Sequence, residues 1–308
     1  MRASSADLLE WFMQTEQIAW TWRGETVRIG IDWLGSGPSA LLLPALSSIS
    51  TRREMRPLQE RLSAHYRTVA VDWPGFGDQS RPALDWNPEA YSAFLSFLLT
   101  SVLSHPHATI ATGHAAAYAL RHVAADASAT GRLVLIAPTW RGPLPTMMGG
   151  HRPLLDRLCQ LVDLPGIGPL IYRLNVNQPV IRYMGAGHVY ADREFLTGER
   201  LREKLAVTRA PGARFSSVRF VTGRLDPLRS RDEFLDLVRR AAVPILLVYG
   251  AETPPRSRAE MEALAALPNV SSIELPRGKL AIHEEFPDAV VEVIVPFLHD
   301  GPRPGASS

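Results

Sequence analysis

Few side chains in this sequence that could move a proton, hold a metal or attack a carbon stand close together. Cys159 is the single cysteine. With no histidine and acid near it, it reads as buried packing rather than a nucleophile. His105 and His107 in SHPH are the one close histidine pair. They precede the apolar run ATIAT, at the end away from the turn that follows it, and no metal is expected there. His283 stands beside Glu284 and Glu285, which suits a hydrogen-bonded structural histidine and also leaves one candidate general base. Asp226 in TGRLDPL precedes a helical stretch, where a carboxylate caps the helix or closes a turn. In DWPGFGDQS, Gly75, Phe76, Gly77 and Ser80 give most of a dinucleotide fingerprint after a strand. The third glycine is missing, however, and Pro82 interrupts the helix that a pyrophosphate needs. No nucleotide or other cofactor is expected.

Composition narrows the partners. The 33 basic and 31 acidic residues leave a net charge of +2, and the arginines are scattered, with Lys204 and Lys279 the only lysines. Nothing here calls for nucleic acid. The start MRASSADLLEWFMQTEQIAW carries Asp7, Glu10 and Glu16 where a secretory signal needs an unbroken apolar core. No apolar run reaches the roughly 20 residues of a membrane span. A cytoplasmic, reducing location and no transmembrane segment are therefore expected.

The scaffold that must position any site is legible from periodicity. Ile18–Trp22 and Thr26–Trp33 alternate across Gly24 and Glu25, which predicts an antiparallel hairpin. From Ala40 short apolar runs take over, ALLLPAL, YRTVAVDWP, ATIATG and RLVLIAP, separated by helical stretches around Met55–Ala64, Tyr91–Leu103 and from Ala116. The series resumes with PILLVYG, a helix near Arg258–Ala266, VSSIELP and a final helix over Ala289–His299. Strands apolar on both faces and alternating with helices predict an α/β fold with a mostly parallel, doubly wound sheet of about eight strands. Between Trp140 and Arg240 the alternation stops in favour of prolines, glycines and apolar helical pieces such as PLLDRLCQLV. The expected organisation is a core over 1–140 and 241–300, a helical cap inserted over 141–240 and a disordered tail over 301–308. Such an insertion sits over the crevice where open α/β sheets bind ligands. The alternative is a packing subdomain or a homodimer surface.

The order of elements resembles the α/β-hydrolase fold, and DWPGFGDQS (Asp72–Ser80) is similar to that family's loop after its fourth strand. The resemblance covers roughly Gly24–Pro138 and Pro244–His299, while the cap shares only its position. It implies a nucleophile in G-x-S-x-G at a sharp strand-to-helix turn. Here the turn reads Gly113, His114, Ala115, Ala116, Ala117, which puts the methyl group of Ala115 in the nucleophile's place; His114 beside it is expected to pack or bond locally. The family's acid ends the strand after the cap in G-x-x-D. Gly250, Ala251, Glu252, Thr253 puts Thr253 there, with Glu252 read as a solvent-facing carboxylate. Counting back from Glu285 and Pro287 puts Leu280 at the histidine's place, with His283 one turn later as the alternative base. The His-Gly after the third strand is replaced by Pro44 and Ala45, followed by Ser47, Ser48 and Ser50, which cap the next helix or line the pocket floor. What the resemblance leaves is an oxyanion hole of backbone N–H groups, those of Ala116 and of Ala45 or Leu46.

A pocket lined by Ala45, Leu46, Ser47, Ala115, Ala116, Trp140, Thr253 and Leu280 under an apolar cap suits a mainly apolar small molecule with a carbonyl or carboxylate group. Three readings stand at this level. One is a noncatalytic receptor or carrier without the serine, acid and histidine triad. The second is a serine-independent enzyme of lyase, isomerase or hydrolase type, using the oxyanion hole with His283, a tyrosine of the cap or no base. The third is a protein-interaction module whose cap binds a macromolecule, and an ordinary hydrolase is what remains beside these three.

Overall fold

The computed structural model describes residues 13–79 and 81–299. Ser80, the start of the chain with Asp7 and Glu10, and the tail expected to be disordered over 301–308 lie outside the described residues. Eight strands form one sheet: β1 Gln14–Trp22, β2 Glu25–Leu34, β3 Ser39–Leu43, β4 Arg67–Val71, β5 Ala108–Thr112, β6 Leu133–Ile136, β7 Ile245–Gly250 and β8 Val270–Leu275. Their order is β1-β2-β4-β3-β5-β6-β7-β8. The predicted hairpin is present, with Trp22 opposite Glu25 and Gln14 opposite Trp33. β2 also runs antiparallel to β4, and the remaining pairings are parallel.

Every residue of β5, β6 and β7 is buried, so both faces of the sheet must be covered. The covering helices are α1 Arg56–Leu62, α2 Pro88–Phe97 and α3 Ala115–Ala125 before the insertion, then α11 Pro255–Ala265, α12 Ile282–Glu285 and α13 Pro287–His299 after it. Their starts follow local chemistry: the Asn87 side chain accepts the Ala90 N–H at 3.0 Å, and Pro88 fills the first turn of α2, where no N–H is needed.

Between β6 and β7 lie α4 Pro143–Met148, α5 Pro153–Asp163, α6 Ile167–Asn175, α7 Gln178–Met184, α8 Gly198–Arg209, α9 Ala213–Thr222 and α10 Arg231–Arg240. The last of these buries Phe234, Leu237 and Val238 in the main core beside the sheet, although its sequence falls within 141–240. The others are tied down by polar clamps. Arg219 of α9 grips Asp163 of α5 through two N–H···O bonds of 2.9 and 2.8 Å, and the Ser217 hydroxyl lies 2.5 Å from that of Ser48. Glu285 of α12 accepts the N–H groups of Ala191 and Asp192 at 2.8 and 2.6 Å. Among the described residues no helix is long and apolar enough to cross a membrane.

Candidate functional site

A cavity of about 800 Å³ opens between the C-terminal ends of the central strands and the inserted helices. That lies within the ~300–1,000 Å³ typical of small-molecule sites. Five of the residues expected from sequence line it: Ala45, Leu46, Ser47, Trp140 and Leu280. Ala115, Ala116 and Thr253 do not.

The reason lies in the strand-to-helix turn. β5 ends at Thr112, Gly113 adopts φ +51°, and α3 begins at Ala115. The residue that turns the chain and faces the cavity is therefore Gly113, two positions before the one expected. Ala115 is fully buried in the first turn of α3, and the Ala116 N–H, expected to be free for a ligand oxygen, is donated to the Gly113 carbonyl at 3.2 Å. A side chain on Gly113 would bring its Cβ to 3.2 Å from that of Ala45, so the β3 and β5 loops approach closely at this point. The Ala45 N–H is also taken, by Glu54 at 2.6 Å. Among the described residues, the N–H groups of Leu46 and His114 donate to no acceptor, and both residues line the cavity.

Glu54 was not singled out by sequence. It lies in the turn capped by Thr51, and its carboxylate is buried on the cavity wall. His283 Nε2 stands 3.5 Å away, at the outer limit of hydrogen bonding. Lys204 from α8 reaches in to 3.8 Å from Glu54 and 2.9 Å from Glu284, while the Tyr190 hydroxyl donates to Glu284 at 3.0 Å. Burial alone would raise the Glu54 carboxyl, but the His283 contact and the Lys204 charge hold it below the ordinary value. Burial opposes the Lys204 charge too, yet Glu284, Tyr190 and Glu54 carry its affinity for a proton upward. Glu54, His283 and Glu284 could converge on a cation. The Lys204 ammonium already supplies that charge. These side chains come from positions 54, 190, 204, 283 and 284, so no local spacing announces the group.

The remaining candidates have structural partners. The buried ring of His114 contacts the Leu225 carbonyl at 3.2 Å and Asp226 at 3.4 Å, and it packs edge-on against Phe220. Burial pushes it down to about 4. Asp226 accepts the Gly142 N–H at 2.8 Å, and burial pushes it up to about 8. Thr253 is buried with its hydroxyl unpartnered among the described residues. Glu252 is not simply solvent-facing, since it accepts the Gly278 N–H at 2.8 Å and so joins the loops after β7 and β8. His105 and His107 contact different carbonyls, those of Ser128 and Leu298, and Cys159 packs with Val162 and Val218. In DWPGFGDQS the carboxylates of Asp72 and Asp78 take the buried Arg52 guanidinium at 2.5 and 2.8 Å, with Asp32 at 3.0 Å. Gly77, at φ +80°, leaves room for Asp72, so the motif locks a loop.

An eight-stranded, mostly parallel sheet with a strand-to-helix elbow beneath inserted helices defines the α/β-hydrolase class. Residues 35–293 match the alpha/beta hydrolase family, and the chain belongs to it. No curated protein matches the chain. Solved structures similar to it include an esterase from Thermogutta terrifontis with malate bound, at 17% identity and a TM-score of 0.69, with 92% of this chain and 98% of that one covered. An epoxide hydrolase, CorEH, aligns at 17% identity and TM-score 0.68, with 92% and 98% covered. The haloalkane dehalogenase DatA from Agrobacterium tumefaciens aligns at 15% identity and TM-score 0.69, with 93% and 96% covered.

Proposed function

We propose that this chain is a binding protein on the hydrolase fold, holding a mainly apolar small molecule with a carbonyl or carboxylate oxygen in the capped cavity without serine-dependent hydrolysis. The observation that carries the reading is the elbow, where the residue facing the cavity is Gly113, with no side chain to attack a carbonyl. Thr253 and Leu280 stand where the family's acid and histidine are expected. The N–H groups of Leu46 and His114, the latter at the start of α3, suit the ligand's oxygen. Leu46, Trp140, Met147 and Leu280 suit its apolar body.

A second reading, an enzyme of proton transfer, is favoured by the buried Glu54 and His283 on the cavity wall, a pair suited to accept a proton from a bound carbonyl compound. One experiment separates the readings: titration calorimetry with 2-octanone, followed by mass spectrometry of the ketone recovered from D2O. The binding reading predicts saturable binding, weakened by about tenfold or more in Leu280→Trp, which pushes a ring into the cavity, and no deuterium uptake above the buffer rate. Uptake that His283→Gln abolishes establishes the second reading, and absence of binding contradicts both.

A further inference from the structure

The inserted helices show solvent a face that the fold leaves uncovered. Ten large hydrophobic side chains among the described residues are exposed, and all of them fall between Met147 and Tyr183. They form stripes. On α5, Leu155, Cys159 and Val162 face inward, while Leu154, Leu161 and Leu164, at 65%, 44% and 48% exposure, follow the spacing of one outer face. Ile167, Leu170 and Leu174 do the same on α6, at 51%, 58% and 64%. Two apolar stripes on helices that pack against each other mark an interaction site rather than scattered exposure.

Charge identifies the occupant. Arg152, Arg157, Arg173 and Arg182 are exposed on the same segment and make no ion pair with a described residue. Arg157 lies within the Leu154–Leu161 stripe. The acids of α5 are already engaged, Asp156 with Arg224 and His151 and Asp163 with Arg219. The uncompensated charge on the face is therefore positive. A second copy would set this cationic face against itself across a twofold axis. We propose that the face docks on a membrane surface bearing anionic headgroups, with the leucines entering the acyl boundary and the arginines taking the phosphates. Met147, 51% exposed, also lines the cavity, so the run of exposed hydrophobics from Met147 to Tyr183 begins at the cavity wall. The proposal does not depend on which ligand the cavity holds.

The test is flotation of the full chain with vesicles of phosphatidylcholine alone or mixed equally with phosphatidylglycerol. The mixed vesicles should carry the protein up, with affinity at least about tenfold above phosphatidylcholine alone. Leu161→Glu with Leu170→Glu, and separately Arg157→Glu with Arg173→Glu, should each lower that affinity about tenfold or more while leaving the thermal melt and 2-octanone binding in solution unchanged. No flotation with the mixed vesicles, equal flotation with both kinds, or indifference to both double variants overturns the proposal. A dimer seen by light scattering and split by Leu161→Glu with Leu170→Glu also overturns it, in favour of a second copy.

Discussion

One buried and one largely buried carboxyl group show how surroundings decide what a residue can do. Glu54 stays ionised because His283 and Lys204 outweigh its burial. At Asp226 burial wins over the Gly142 N–H and the Arg141 charge, and His114, 3.4 Å away, is held down to about 4 and is uncharged at neutral pH. Burial raises Asp226 to about 8, well above its unfolded value near 3.8. A raised carboxyl binds its proton more tightly when folded, so it weakens the fold progressively as pH climbs from about 4 to about 8. Asp226→Asn retains an oxygen for the Gly142 N–H and removes that titration. Thermal unfolding across pH should show the variant equal to the unmodified protein near pH 4, and increasingly more stable up to about pH 8, with a constant difference beyond. A difference that does not vary with pH contradicts the assignment.

At the scale of elements, the elbow determines which substitution can matter. Gly113→Ser forces a side chain to φ +51° and against Ala45, which costs about 1–2 kcal/mol, and with Leu280 at the family histidine's place it should produce no ester hydrolysis. Ala115→Ser should be equally inactive, because its side chain never reaches the cavity. p-Nitrophenyl ester turnover by Ala115→Ser alone would return the elbow to the position read from sequence. That reading slipped by two residues because alanines at 111, 115, 116 and 117 satisfy the demand for small neighbours in either register. Only the backbone separates them, since glycine takes a positive φ without a Cβ clash. The hairpin and the parallel strands were legible because they rest on local periodicity. The Glu54, Lys204 and Glu284 group was not, and neither was the Arg52 partner of Asp72, because chain closure alone brings such distant residues together.

The whole molecule places a roomy cavity beneath helices fixed by the Arg219–Asp163 clamp and by Glu285. At its floor stand Gly113 and a carboxylate already engaged with Ala45 and Lys204. This arrangement keeps the family's crevice and supplies no side-chain nucleophile at the elbow, and the function we propose on that ground is binding without cleavage. The direct measurement is equilibrium dialysis of the unmodified protein against methyl octanoate, followed by mass spectrometry of what the protein retains. The account predicts one equivalent of ester retained and recovered intact after prolonged incubation. Recovery of octanoate and methanol at a rate abolished by a fluorophosphonate would contradict it, because that result requires an activated serine in the site.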